Sequence, residues 1–131
     1  MARQFTRRKR EIISQPAQET MGEIQQCIQT CLDCHRICLE TMQHCLQMEG
    51  KYAELSHIRL LLDCAEICRT SADFMIRGSD LYPYICDTCA EVCKQCAEDC
   101  EQISSAGDEI MARCADLCNR CAKSCLQMAT A

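Results

Sequence analysis

The sequence has few of the residues that usually fill a protein core with aromatic rings. Its 131 residues include no Trp, two Phe and three Tyr, so aromatic packing cannot supply most of the interior. Two Pro and four Gly are few enough to suit long, uninterrupted helices. No run of about 18 apolar residues occurs, so no membrane-spanning helix and no membrane partner are predicted. The net charge of −5 argues against nucleic acid as the main partner.

Cysteine is the residue that the sequence has in excess, with sixteen in all. In a short secreted chain, such a content indicates a disulfide scaffold. Two features oppose that interpretation. The first twenty residues hold a basic cluster without the apolar segment of a secretory signal, and the cysteines lie at helical rather than loop spacing. We therefore expect a cytoplasmic protein whose thiols stay reduced.

All sixteen cysteines fall on four stripes with the spacing of one helix face. Between Cys86 and Cys100 the five cysteines step by 3, 4, 3 and 4 residues, the a/d rhythm of a helix in a bundle. Residues three and four apart share a helix face, so these sulfurs point into whatever the helix packs against. The polar residues between them, including Asp99, are predicted to form the outer face. The candidate metal ligands are Cys27, Cys31, Cys34, Cys38, Cys45, Cys64, Cys68, Cys86, Cys89, Cys93, Cys96, Cys100, Cys114, Cys118, Cys121 and Cys125.

Glycine and proline divide the chain into four long helices and a short arm. Breaks at Gly50, Gly78 and Gly107 predict helices over about 17–48, 52–77, 82–105 and 108–128, with Asp108 as an N-cap. Residues 1–16 are predicted as an N-terminal arm with a short accessory helix that ends at Pro16. Because the connections are short, neighbouring helices must run antiparallel. The predicted fold is all-α, an up-down-up-down four-helix bundle over 17–131.

A helix face of thiols, where a bundle would ordinarily place Leu, indicates that the sulfur itself is needed. Thiolate is a soft ligand that selects Cu(I), Zn(II) or iron–sulfur clusters. Four closed zinc sites would leave a net charge of about −2 in each dry site, which is costly. Cu(I) is monovalent, so about one ion per thiolate leaves the core near neutral. The sequence favours multiple Cu(I) ions, with a Zn(II) or other soft-metal sink as an alternative.

A thiol-redox role is a further alternative, because CxxC pairs such as Cys31/Cys34 and Cys118/Cys121 occur. The strand-and-helix pattern that accompanies such pairs in thioredoxin-like folds is missing. No cysteine has a distinct, electropositive setting next to a base, so no enzyme activity is predicted.

Three cysteine motifs of this sequence resemble those of the bacterial four-helix-bundle copper storage proteins, in their cytosolic branch. The motifs are Cys27-x3-Cys31-x2-Cys34-x3-Cys38, Cys86-x2-Cys89-x3-Cys93-x2-Cys96-x3-Cys100 and Cys114-x3-Cys118-x2-Cys121-x3-Cys125. The resemblance covers nearly the whole chain. It implies storage and buffering of many Cu(I) ions inside each bundle and a homotetramer. The exchange partner we expect is a copper chaperone or a small-molecule thiol.

The same resemblance implies that metal enters at one end of the bundle, where the family carries His and Met. The matching end here is the one with the Gly50 and Gly107 turns, and its candidate ligands are Met48, His57 and Met111. His35 and His44 fall off the cysteine stripes and are predicted to be surface residues.

Overall fold

The structure, a computed structural model, describes residues 18–130, with side chains from Met21 onward. The predicted N-terminal arm, residues 1–16, lies outside the described residues. The described residues form four α-helices and one 3-10 turn: α1 (Gln18–Met48), the turn (Gly50–Ala53), α2 (Leu55–Ile76), α3 (Tyr82–Ile103) and α4 (Glu109–Thr130).

The four helices pack as a ring around one axis. Helix α1 lies against α2 and α4, and α3 lies against the same two helices from the other side. Because the connections between consecutive helices are short, each helix runs antiparallel to the one before it. The predicted all-α four-helix bundle is confirmed. None of the described helices is long and apolar enough to cross a lipid bilayer.

The first connection differs most from the prediction, because α2 begins at Leu55 rather than near residue 52. Glu49 and Gly50 both adopt left-handed backbone angles, with φ of 62° and 59°, and end α1 abruptly. The 3-10 turn that follows buries Tyr52. The Tyr52 hydroxyl donates to the carboxylate of Asp108 (3.0 Å) and accepts a hydrogen bond from the Ser105 amide (2.7 Å). These bonds tie the first connection to the third.

The third connection contains the predicted N-cap of α4. The Asp108 carboxylate accepts a hydrogen bond from the Met111 amide at 3.1 Å, which satisfies one of the free donors at the helix start. Gly107 before it has φ of 83°, which an L side chain would rarely adopt. Both connections therefore meet at one end of the bundle, which we call the Gly50/Gly107 end. The connection around Gly78 marks the opposite end.

The interior of the bundle is made largely of sulfur. All sixteen cysteines are buried and none is disulfide-bonded. Leu61, Met111 and Met128 are the largest fully buried apolar side chains. Two buried hydroxyls, on Thr41 and Ser71, have no hydrogen-bond partner among the described residues. Both occupy positions on the cysteine stripes.

Candidate metal centre: a column of thiols

The cysteine sulfurs form a nearly continuous column of close contacts along the bundle axis. Successive Sγ–Sγ distances of 3.5–3.9 Å link cysteines of all four helices. The linked residues, in order from the Gly78 end, are Cys27, Cys125, Cys31, Cys121, Cys68, Cys93, Cys64, Cys118 and Cys38. A disulfide would need about 2.05 Å between sulfurs, so these are separate thiols in van der Waals contact.

Four groups of four cysteines have all their sulfurs within 4.8 Å of one another, close enough together to hold a metal ion. The groups overlap, because some cysteines, such as Cys34, Cys64, Cys68 and Cys93, each belong to two groups. The groups are Cys31/Cys89/Cys121/Cys125, Cys68/Cys89/Cys93/Cys121, Cys34/Cys64/Cys68/Cys93 and Cys34/Cys38/Cys64/Cys118. Neighbouring metal ions in this column would therefore share thiolates.

The sulfur spacing matches metal ligation without a large rearrangement. With a metal–sulfur bond of about 2.3 Å, three sulfurs around a trigonal ion lie ~4.0 Å apart. The Sγ–Sγ distances of 3.5 Å between Cys68 and Cys93 and 4.0 Å between Cys34 and Cys64 are close to this value. The column is thus already arranged for two- or three-coordinate soft ions.

Burial opposes the ionisation of thiols along the column. It raises the pKa of Cys45 to about 12, and repulsion from Cys114 and Asp108 adds to the effect. Hydrogen bonding with the Cys121 thiol, together with burial, raises the pKa of Cys68 and of Cys125. Because thiolate is the form that binds metal, each ion that enters must displace protons.

The column ends at the Gly50/Gly107 side in a group of mixed ligands. Cys45 lies 3.3 Å from Nε2 of His57 and 3.6 Å from the thioether sulfur of Met111. His57 is 1% exposed, and its Nδ1 lies 2.6 Å from the Asp99 carboxylate. A carboxylate only accepts hydrogen bonds, so Nδ1 carries a proton, which leaves the Nε2 of a neutral ring as the atom that can bind metal beside Cys45. This is the arrangement that orients a metal-binding histidine.

The structure brings together two of the three residues predicted for this end. His57 and Met111 both contact Cys45, whereas the Met48 side chain is 48% exposed. Asp99 was missed, because the sequence analysis placed it on the outer polar face. Its carboxylate is only 29% exposed and is bonded to His57. The position of Asp99, between Cys96 and Cys100 and beside their stripe, was the available signal.

The other two histidines connect helices rather than lying free on the surface. The His35 ring bonds the carbonyl oxygen of Ala65 at 2.7 Å, which joins α1 to α2. His44 bonds the Asp108 carboxylate at 2.9 Å and packs edge-on against Tyr52. Both histidines are partly buried, so the surface placement predicted from the sequence was wrong.

Comparison with protein families gives the decisive observation. A family model described as copper storage protein matches residues 20–130. This chain belongs to the copper storage protein family. Membership confirms the predicted copper storage function and assigns the chain a storage role rather than a catalytic one.

Solved structures of similar proteins agree with this family. The Nmul_A1745 protein of Nitrosospira multiformis is 44% identical, with a TM-score of 0.77 over 83% of this chain and 96% of that one. The Cu(I)-bound copper storage protein BsCsp3, from Bacillus subtilis, is 30% identical, with a TM-score of 0.74 over 82% and 98%. A cytosolic copper storage protein from Streptomyces lividans, solved with five coppers, is 27% identical, with a TM-score of 0.75 over 84% and 94%.

A curated relative matches only in part. The cysteine-rich protein YhjQ of Bacillus subtilis is 33% identical over 64 residues, which cover 49% of this chain and 59% of that protein. The match therefore spans less than two thirds of that relative's length.

Proposed function

We propose that this copper storage protein holds many Cu(I) ions in a continuous row along its bundle axis, with all sixteen cysteines as ligands. The overlapping groups of four cysteines are the observation that carries the proposal. Because adjacent groups share sulfurs, a bound ion places thiolates at the correct distance for the next ion. A row of this kind stores metal without needing a separate closed site for each ion.

Charge and coordination favour Cu(I) over Zn(II) as the cargo. Structural zinc takes four ligands in a closed tetrahedron, and sixteen thiols would make four such sites only if no sulfur were shared. The groups here share Cys34, Cys64, Cys68 and Cys93, among others. A monovalent ion with two or three shared thiolates leaves the dry interior near neutral, whereas four thiolates on Zn(II) leave it doubly negative.

The Gly50/Gly107 end is where we expect ions to enter and leave. Met111 borders a surface depression of about 480 Å³ that also includes Glu101 and Asp116. Acidic groups at this depression attract a cation from solvent. The Met111 thioether and the Nε2 of His57 then lead to Cys45, the first thiol of the column. Met48, exposed on the same end of α1, would act only as an outer contact.

We further propose that the protein is a cytosolic homotetramer that exchanges copper with a chaperone or a small-molecule thiol. Helix α2 supports self-association, because Leu55 and Leu62 are seven residues apart and are 67% and 43% exposed. Residues at this spacing share one helix face. An apolar stripe on a polar surface is the feature that a contact between copies would cover. Light scattering should give four chains for the native protein and fewer for Leu62→Glu.

Titration of the reduced protein with Cu(I), against a competing Cu(I) chelator, tests the storage function. We expect on the order of one ion per thiol, because Cu(I) accepts two or three shared thiolates. Saturation near four ions would instead indicate closed zinc-like sites. Failure to take Cu(I) from the chelator would overturn storage in favour of a redox role for the thiols. The same titration with Zn(II) serves as the control for metal selectivity.

A further inference from the structure

The Gly78 end of the column carries a second cysteine–methionine pair. The Cys86 thiol donates to the thioether sulfur of Met75 at 3.9 Å, and both side chains are buried. Cys86 also interacts with the thiols of Cys27 and Cys125. This group mirrors the pair of Cys45 and Met111 at the opposite end, but no imidazole of the described residues belongs to it. Its candidate metal ligands are sulfur atoms.

Met75 connects this sulfur group to the surface. It borders an apolar groove of about 490 Å³ between α1 and α2, which is also lined by Met21, Ile24, Gln25, Ile28 and Ile76. Met75 itself is 4% exposed, whereas Met21 at the same groove is 59% exposed. Two thioethers therefore border one groove, the outer one reachable from solvent and the inner one in contact with the cysteine column.

A second observation near this end is a buried hydroxyl on the same helix as Met75. Ser71 lies on the α2 stripe one turn before Met75, and its hydroxyl is fully buried without a hydrogen-bond partner among the described residues. Buried hydroxyls are normally satisfied. A thiolate formed nearby would supply the missing acceptor, because a thiolate accepts hydrogen bonds more strongly than a neutral thiol. Metal binding is the event that forms thiolates in this column.

We propose that Met75 and Cys86, with Cys27, form a terminal Cu(I) site that exchanges ions through the groove at the Gly78 end. Thioether and thiolate together are the soft donor set that selects Cu(I). When the ion binds, the thiols of Cys86 and Cys27 each lose a proton to solvent or to the donor molecule, and copper stays Cu(I). The thioether has no proton to lose, and Cys27 is shared with the next ion of the row, so the charge stays near one thiolate per ion. The inference rests on the storage function and adds a second point of exchange to it.

Ligation by Met75 can be read directly by NMR of methionine ε-¹³CH₃ groups during Cu(I) loading. Cu(I) is diamagnetic, so resonances stay sharp, and Met75→Leu identifies the signal. The Met75 methyl resonance should shift on loading by as much as that of Met111. Met42, which packs against the outside of the core, is the control and should barely move. A Met75 shift no larger than that of Met42 at full loading overturns the site.

Exchange through the groove is tested by removal of Cu(I) from the loaded protein with excess chelator. In a His57→Phe background the route at the Gly50/Gly107 end is impaired, so the remaining flow should use the Gly78 end. Adding Met75→Leu should then slow removal about tenfold, the lower end of the effect of substitutions around a metal site. Adding Met42→Leu should change nothing. Equal rates for these two double variants would overturn the route.

The inference and the proposed storage function fail in different ways. If the native protein takes up no row of Cu(I) ions, storage itself fails. If it loads fully while the Met75 methyl stays unmoved, only the terminal site fails. If the methyl shifts but the removal rates agree, the site stands and its exchange route is wrong.

Discussion

The two ends of the cysteine column carry different groups next to the last cysteines. At the Gly50/Gly107 end, Cys45 meets an imidazole that is oriented by a carboxylate, and a methionine beside an acidic depression. At the Gly78 end, Cys86 meets a methionine beside an apolar groove. One end can therefore attract a free cation and offer it a nitrogen ligand. The other presents neutral thioethers, which suit an ion handed over by another soft ligand.

This difference shows which parts of the molecule set capacity and which set the rate of exchange. The middle of the column is uniform and repeats the same sulfur spacing on four helices. Its contribution is the number of ions held. The ends differ in charge, polarity and ligand type, so substitutions there should change how fast copper moves more than how much is stored.

The largest effect on Cu(I) capacity should follow from replacing a full set of column cysteines rather than the residues of one end. Replacing Cys86, Cys89, Cys93, Cys96 and Cys100 with Ala removes every thiol of α3, and Cys89 or Cys93 belongs to three of the four groups of four. Most of the Cu(I) capacity should be lost while circular dichroism still shows a helical protein. The matched control replaces the exposed residues Asp87, Glu91, Lys94 and Glu98 on the same helix. Full loading of the five-cysteine variant would contradict the assignment of the column.

Alkaline pH should destabilise the metal-free protein and leave the loaded protein unaffected. The pKa of Cys45 is raised from its ordinary 9.0 to about 12 in the folded state. Its protonated form therefore stabilises the fold below pH 9.0, and this stability is lost as the pH rises toward 12. For Cys45 alone the loss is on the order of 4 kcal/mol. Denaturant unfolding at several pH values measures it.

Cys45→Ala is the control for this loss of stability at alkaline pH, because it removes the contribution of the Cys45 thiol to the free energy of unfolding. The variant should lose less stability with rising pH than the native protein, with the remainder due to thiols such as Cys68 and Cys125, whose pKa is also raised. A native unfolding free energy that stays constant between pH 9.0 and about 12 would show that the thiols are not held protonated.

A smaller effect, on rate, should separate the two ends. His57→Phe removes the imidazole, and Asp99→Asn removes the carboxylate that fixes its tautomer, so both should slow Cu(I) uptake. The expected slowing is about 10–100-fold for His57→Phe and near the lower limit for Asp99→Asn. Stopped-flow loading measures both. His35→Asn is the control, since the His35 ring bonds a backbone carbonyl away from Cys45. Uptake by His57→Phe at the native rate would place the main route elsewhere.

The smallest effect concerns the polar network that closes the Gly50/Gly107 end. Burial favours a higher pKa for Asp108, but hydrogen bonds from His44, the Met111 amide and Tyr52 outweigh it and lower that pKa. The network should stabilise the fold above pH 3.8, and this contribution should be lost as the pH falls through the lowered pKa. Asp108→Ala should cost about 1 kcal/mol at neutral pH through loss of the N-cap.

The matched control for this network is Asp116→Ala, because Asp116 on the same helix is 71% exposed and forms only an exposed pair with Arg120. It should leave the free energy of unfolding unchanged. Equal unfolding free energies for the two variants would show that Asp108 does not stabilise the Gly50/Gly107 end.

The fold and the column could be predicted because both follow from local spacing. Steps of three and four residues fix which face each cysteine occupies, and Gly50, Gly78 and Gly107 mark the connections. The polar groups at the Gly50/Gly107 end could not be predicted in the same way. Whether Asp99 faces solvent or His57 depends on how α2 and α3 rotate against each other, and the partner of His44 comes from a distant connection.

The central claim is that copper ions form one row with shared sulfurs. Anomalous diffraction from crystals of the fully loaded protein tests it directly. The predicted result is a line of copper peaks along the bundle axis from Cys45 to Cys86, with neighbouring ions bound to common cysteines. Isolated copper ions, each held by four cysteines that bind no other ion, would contradict the account.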